Sequence, residues 1–142
     1  MSNLISSARN QLTGVVTQII EGAVNSEITL DIGGTKIIAI ITNQSVKELG
    51  LKIGSPAMAL IKSSWVILCK EQSVKTSARN QLVGKITSCQ LGAVNGEVIM
   101  ELPTGQNLAA IITNESLKGL GLKEGDEVCA LIKASQVVIA VS

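Results

Sequence analysis

"SARNQLTG" (Ser7–Gly14) and "SARNQLVG" (Ser77–Gly84) differ at one letter and lie 70 positions apart. At the same offset "GAVNSE" (Gly22–Glu27) meets "GAVNGE" (Gly92–Glu97). A one-residue insertion around Pro103 moves the offset to 71. Beyond it "AIITNQSVKELGLKIG" (Ala39–Gly54) meets "AIITNESLKGLGLKEG" (Ala110–Gly125), and "ALIKSS" (Ala59–Ser64) meets "ALIKAS" (Ala130–Ser135). Two copies of one module, expected over residues 5–71 and 75–141 and joined near "KEQSVKT" (Lys70–Thr76), account for nearly the whole 142-residue chain. Each module is under about 70 residues, a size at which one core is marginal, so modules are expected to pack on modules.

Within a module the pattern is short strands with turn punctuation. "LTGVVTQII" and "LVGKITSC" read as strands, each with a glycine that marks a bend or bulge. Asn25-Ser26 and Asn95-Gly96 supply the next turn, Asn-Gly being a hairpin signal. "KIIAIIT" and "NLAAIIT" make a third strand. "NQSVKELG" reads as one or two turns of helix with Ser45 as cap, Glu48 completing a capping box and Gly50 as the stop. The second copy keeps Ser116 and Gly121 but has Gly119 where Glu48 stood. "PAMALIK" with "WVILC", and "EVCALIK" with "VVIAV", close each module. The expected fold is all-β: two tandem five-stranded barrels of the oligonucleotide-binding (OB) type, each with one short helix.

Composition narrows the function. Hydrophobic residues make up 46% and charged residues 16%, which is a core-building chain and not a disordered one. Phe and Tyr are absent and Trp65 is the sole aromatic residue, so the core must be aliphatic. A net charge of +1 provides no field to gather nucleic acid or an anionic membrane. No apolar run is long enough for a membrane span, and the start "MSNLISSARN" lacks a secretory pattern. Cys69, Cys89 and Cys129 are scattered, as expected of reduced, buried thiols in a cytoplasmic protein. Without His, paired recurring carboxylates or a nucleophile motif, an enzyme is not expected, and no cofactor is.

The duplicated polar pieces are Ser7-Ala8-Arg9-Asn10, Gly22-Ala23-Val24-Asn25, Thr42-Asn43-Gln44-Ser45 and Lys62-Ser63-Ser64. Their counterparts are Ser77-Ala78-Arg79-Asn80, Gly92-Ala93-Val94-Asn95, Thr113-Asn114-Glu115-Ser116 and Lys133-Ala134-Ser135. Together they offer guanidinium forks, ammonium groups, hydroxyls and turn N–H groups, an inventory suited to a small oxyanion. Ser45 and Ser116, read as helix starts, add N–H groups that favour an anion. Each piece also has a plain structural reading: a polar turn, a hairpin, a cap, a solvated lysine. Duplicated turns tolerate drift, however, and "SARNQL" is unchanged while neighbouring strand residues differ.

"SARNQL…G", "GAVN.E", "IT..S…LGL..G" and "ALIKAS" together resemble the Mop domain of the molbindins, small cytoplasmic molybdate- and tungstate-binding proteins. Two such domains in one chain resemble the di-Mop type. The resemblance implies OB-type barrels that associate, for a di-domain chain as a homotrimer, with oxyanions bound at domain interfaces. It implies that Ser7, Arg9, Ser77 and Arg79, within Ser7–Asn10 and Ser77–Asn80, come from one side of an interface. Thr42, Ser45, Lys62 and Ser64, with Thr113, Ser116, Lys133 and Ser135, come from the other. Backbone donors of the "GAVN" turns, around Val24, Asn25, Val94 and Asn95, would serve a second class of site. Lys62-Ser63-Ser64 departs from the usual Lys-Ala-Ser, though Ser64 keeps the matched serine.

The ligand implied is molybdate or tungstate. Molybdate is a tetrahedral dianion, deprotonated near neutral pH, whose oxygens only accept hydrogen bonds. A site lined only by donors favours it over phosphate, whose proton would face another donor. Sulfate is likewise acceptor-only but smaller, so only cavity size can exclude it. The expected function is storage or homeostasis of the oxyanion, with no nucleic acid and no membrane as partner. The alternative is single-stranded nucleic-acid binding on the same barrel, but that uses aromatic stacking and Trp65 stands alone.

Overall fold

Each repeat opens on a 12-residue strand, β1 (Asn10–Glu21) and β6 (Asn80–Leu91), long enough to run through two sheet pairings in succession. The first repeat continues with β2 (Asn25–Asp31), β3 (Lys36–Thr42), α1 (Asn43–Leu49), β4 (Pro56–Ile61), a 3-10 turn (Ser63–Trp65) and β5 (Ile67–Cys69). The second continues with β7 (Asn95–Glu101), β8 (Asn107–Thr113), α2 (Asn114–Gly119), β9 (Glu127–Ile132), a 3-10 turn (Ala134–Gln136) and β10 (Val138–Ala140). This computed structural model describes residues 6–70 and 75–142.

The strands form two five-stranded antiparallel sheets, but not one sheet per repeat. Their orders are β10-β4-β1-β2-β3 and β5-β9-β6-β7-β8. The last strand of each repeat completes the other repeat's sheet: Val138 pairs with Leu60 and Ile139 with Ala59, while Ile67 pairs with Leu131 and Leu68 with Ala130. The expectation of five strands and a helix per barrel holds, but the fifth strand is exchanged. The physical reason is that β4 and β9 share the Ala-Leu pair that the fifth strands face, and so offer similar edges. A three-residue strand is too short to specify its partner. The choice falls to the 3-10 turns, which pack on β8 and β3 of the opposite repeat. Within each sheet the edge strands, β10 with β3 and β5 with β8, approach each other and curl the sheet into an OB-like barrel.

The core is aliphatic, as the composition requires. Leu12, Val16, Ile28, Leu30, Ile37 and Ile61 of one repeat and Leu82, Ile86, Val98, Met100, Leu108 and Ile132 of the other are buried in one contiguous cluster. Trp65 stays outside it, 40% exposed. Gly14 and Gly84 do not mark the bulge, which falls between Val16 and Gln18 and again between Ile86 and Ser88. They mark a close crossing: a Cβ on Gly14 would lie 2.4 Å from the Asp31 carbonyl oxygen, and one on Gly84 2.5 Å from that of Glu101. The cysteines are thiols; Cys129 is buried, whereas Cys69 and Cys89 are only half-buried.

Candidate functional site

The "SARN" pieces sit where the chain enters β1 and β6, and their side chains reach into the opposite repeat. Asn10 is 2% exposed, and its amide makes a two-sided bridge to one residue of β8. Its Nδ2 donates to the Ala109 carbonyl at 2.9 Å, and its Oδ1 accepts from the Ala109 N–H at 2.7 Å. Asn80 does the same to Ile38 of β3, at 2.8 and 2.7 Å. A side-chain amide here imitates a neighbouring strand and satisfies an edge that would otherwise carry bare polar groups. Asn10 and Asn80, expected among the oxyanion donors, are thus committed to joining the repeats.

Arg9 and Arg79 also cross between repeats. Arg9 Nη1 donates to Glu97 Oε2 at 2.7 Å, and Arg79 Nη1 to Glu27 Oε1 at 2.6 Å. Each hydrogen bond, and then the carboxylate's charge, holds the guanidinium above its ordinary pKa. The arginine side chains remain 48% exposed, so these are surface pairs of modest worth. Ala8 and Ala78 turn their N–H groups onto the Ser6 and Thr76 hydroxyls at 3.2 and 3.1 Å. Ser7 and Ser77 are exposed.

The "GAVN" pieces are tight turns two residues earlier than Asn-Gly would place them. Gly22 N–H donates to the Asn25 carbonyl and Gly92 N–H to that of Asn95, both at 2.9 Å, closing the turns on Ala23-Val24 and Ala93-Val94. Asn95 and Gly96 lie instead in β7. Asn43 and Asn114, just past the third strands, staple these turns by donating from Nδ2 to the Gly22 and Gly92 carbonyls at 2.9 and 2.8 Å. Their N–H groups donate to the Val24 and Val94 carbonyls. Val24 and Val94 project outward, 69% and 72% exposed.

Ser45 is not the cap of α1. Thr42 is, with Thr113 in the same role for α2, because these threonines end the strands with extended backbone. Their Oγ1 atoms accept the N–H groups of Ser45 and Ser116 at 3.1 Å and donate to the serine hydroxyls at 2.8 Å. Ser45 therefore occupies the place expected of Glu48, and its N–H is not available to an anion. Glu48 instead accepts from Gln44 Nε2 at 2.9 Å. Gly50 ends α1 in the left-handed conformation (φ 64°), as expected.

Two clefts gather the remaining candidates. One, of about 370 Å³, is lined by Ser64 from the first repeat and by Asn95, Thr113 and Ser116 from the second, over a floor that includes Leu68 and Ile112. It lies one same-face step along the β7–β8 ladder from Arg9, since Asn95 pairs with Thr113 and Glu97 with Ile111. The strand exchange creates it by carrying the Ser63–Trp65 turn onto β8. The other, of about 340 Å³, is lined by Ser7, Ala8, Lys62 and Trp65, with Val138 of β10. Lys62 Nζ stands 5.7 Å from the Trp65 ring centroid, a cation–π contact. Lys133, in the second repeat, is exposed, with Gln136 at the position of Trp65. The equivalent turn, with Ser135, packs on β3, the strand that ends at Thr42. The structure thus regroups the candidates: Lys62 lies with Ser7 of its own repeat, and Ser64 with Thr113 and Ser116 of the other.

The sequence reading overlooked Glu27 and Glu97 as partners of the arginines, and Asn43 and Asn114 as staples. All four recur in register, inside "GAVN.E" and "IITN", and that recurrence was the available signal. Among the described residues no group of three or more His, Cys, Asp or Glu could hold a metal ion, and no helix is long and apolar enough to cross a membrane.

The TOBE domain model matches residues 6–68 and again residues 76–139. The molybdenum transport protein ModE of Azotobacter vinelandii is 42% identical over 137 residues, spanning 96% of this chain and 51% of that protein. The molybdenum-pterin-binding protein MopA of Rhodobacter capsulatus is 39% identical over 137 residues, spanning 95% of this chain and 52% of that protein. The chain spans about half the length of the curated relatives it matches. The cytoplasmic molybdate-binding protein ModG, solved with molybdate bound, superposes with a TM-score of 0.94 at 38% identity, covering 98% of this chain and all of that one. With two family matches in register with its own repeats and this full-length structural likeness, the chain belongs to the TOBE-domain family, as a tandem pair of Mop-type domains.

Proposed function

We propose that this protein binds molybdate, with tungstate as a second ligand, reversibly and without chemistry on the anion, and so stores or buffers it inside the cell. The observation that carries the reading is the cleft in which Ser64 of one repeat meets Thr113 and Ser116 of the other, beside Arg9. Hydroxyls and a guanidinium supply donors, and the likeness to molybdate-bound ModG supplies the ligand class. The cleft's volume, about 370 Å³, is many times a water's share of roughly 30 Å³. The cleft is open to solvent, which fits completion of the site by further copies, and the resemblance to the di-Mop molbindins gives the homotrimer as the assembly. A ligand that binds only the assembled state also stabilises the assembly.

Native mass spectrometry with molybdate, tungstate, sulfate and phosphate tests this. A trimer that takes up several molybdates or tungstates, and little sulfate or phosphate, is the expected result. A monomer indifferent to molybdate would overturn it. A second reading, molybdate sensing as part of transcriptional control, is favoured by the match to about half of ModE relatives, several of which are described as transcriptional regulators. Molybdate-dependent retention of duplex DNA would select it over storage.

A further inference from the structure

Cys69 and Cys129 stand directly opposite each other where β5 pairs with β9, on strands that come from different repeats. The next pair along, Leu68 and Ala130, is buried in the aliphatic core, so strand alternation turns both thiols to the other face of the sheet. Opposed residues of an antiparallel pair have Cα atoms about 4.5–5.5 Å apart, inside the window of about 4.4–6.8 Å that a disulfide bridges. The Cys129 thiol is held above its ordinary pKa, first by burial and then by the charge of Cys69, so the two sulfurs lie within electrostatic reach. Cys129 is 2% exposed, whereas Cys69 is half-buried on the edge strand of its sheet. The fold does not require this pair: the equivalent place in the other sheet holds Ala140 opposite Met58.

We propose that Cys69 and Cys129 form a redox-modification site, which a small disulfide such as oxidised glutathione closes to an intrachain disulfide. The Cys69 thiolate attacks one sulfur of the oxidant, forming a mixed disulfide and releasing one glutathione thiolate. Cys129, deprotonated in turn, attacks the Cys69 sulfur, and the second glutathione leaves. The protein gives up two protons and two electrons, and the oxidant is reduced to two glutathione thiols. Access sets the order: Cys69 is reached first from solvent, and Cys129 resolves at short range, which offsets its small thiolate fraction. The bond ties down a strand that its own ladder holds by three residue pairs. It also records the strand exchange, because β5 returned to its own repeat would take the place of β10 and set Cys69 opposite Met58. β5 supplies Ile67 and Leu68 to the wall of the Ser64 cleft, so oxidation fixes one side of that cleft. The modification is independent of the ligand assigned there.

The test treats the full chain with oxidised glutathione and quenches with acid. Alkylation in denaturant then counts the remaining thiols, and mass spectrometry maps the linked peptides. The thiol count should fall from three to one, with Cys69 joined to Cys129 and Cys89 left as a thiol, and dithiothreitol should restore all three. Amide hydrogen exchange at Ile67, Leu68 and Cys69 should slow by about tenfold on oxidation, as a bond closed on the native ladder requires. The variant Cys69→Ala copies Ala140 of the other sheet and should keep both of its thiols. Three unreacted thiols, glutathione left on Cys69 without closure, a bond to Cys89, chains linked to one another, or faster exchange in β5 would each overturn the proposal. Should the variant not fold, the peptide map and the exchange rates of the wild type decide the matter alone.

Discussion

The two repeats share one set of polar contacts, some made within each repeat and some between them, and each kind also shows departures from that shared set. Across the pseudo-twofold relation Asn10 bridges Ala109 as Asn80 bridges Ile38, and Arg9 pairs with Glu97 as Arg79 pairs with Glu27. Within the repeats, Ser26 Oγ donates to Asn43 Oδ1 at 2.5 Å in the first, where the second has Gly96 and Asn114 Oδ1 accepts instead from the Gly92 N–H at 3.3 Å. Trp65 stands under Lys62, whereas in the second repeat Gln136 takes the place of the ring and Lys133 has none. Both turns after the second strands close through a backbone bond, Ile32 N–H to the Thr35 carbonyl and Leu102 N–H to the Gln106 carbonyl, but Asp31 accepts the Gly33 and Gly34 N–H groups in the first, whereas Thr104 Oγ1 accepts the Gln106 N–H in the second. Drift reaches contacts between repeats as well: Lys70 pairs with Asp126, and Val141 stands at the position equivalent to Lys70.

The largest effect should come from breaking the shared contacts. Asn10→Ala strips the Ala109 N–H and carbonyl of partners at a buried site, at about 3 kcal/mol, whereas Asn80→Ala, facing half-buried Ile38, should cost less. Urea unfolding of the two variants measures the difference; equal and negligible losses would remove the amide bridges from the account of stability.

Exchanging the self-contacts should then show that the repeats are no longer interchangeable. A Cβ at Gly96 would lie 2.7 Å from Leu117 Cδ1 and 3.0 Å from the Gln90 carbonyl oxygen, so Gly96→Ser should cost about 2 kcal/mol. The reverse change, Ser26→Gly, loses one hydrogen bond and should cost about 1 kcal/mol. Thermal unfolding of both variants would sharpen the comparison, and an inverted order would break it.

Trp65→Gln makes the first repeat resemble the second at the Lys62 cleft. Loss of an exposed cation–π contact should cost under about 1 kcal/mol. Because Trp65 is the sole tryptophan, its fluorescence in the wild type reports on that cleft alone. Molybdate should change the emission if Ser7 and Lys62 take part in binding, and leave it unchanged if they do not.

The smallest effect concerns the Asp31 turn. Hydrogen bonds from the Gly34 and Gly33 N–H groups, in that order, hold the Asp31 carboxyl below its ordinary pKa. A depressed pKa contributes stability that is complete above the unfolded value, about 3.9 for aspartate, and is lost as pH falls through the folded value. Wild type should therefore lose stability below about pH 4 that Asp31→Asn never had. Parallel acid-unfolding curves for the two proteins would show that the turn contributes none.

The repeat, the strand-rich aliphatic core, the helix stop at Gly50 and the four polar clusters were legible in the residues, because each depends on local pattern and on recurrence. The cap was misplaced because Thr42 and Ser45 both carry hydroxyls at helix-start spacing, and only the extended backbone of Thr42 chooses between them. The turn was misplaced because Asn95-Gly96 has hairpin chemistry, yet staples from Asn114 draw the turn back onto Ala93-Val94. Glycines 14 and 84 were legible as special but not as crossings, since the obstructing carbonyls of Asp31 and Glu101 lie on another strand.

By itself the sequence determined that the protein is two copies of one β-rich module with a duplicated set of donors, because periodicity and repetition are properties of a line of letters. Only the tertiary structure decided whom those donors address. Asn10, Asn80, Arg9 and Arg79 find their partners 99, 42, 88 and 52 residues away, and β5 and β10 exchange places between similar edges. A segment's spelling fixes what it can offer; when two near-copies compete to receive it, packing across the whole chain selects between them.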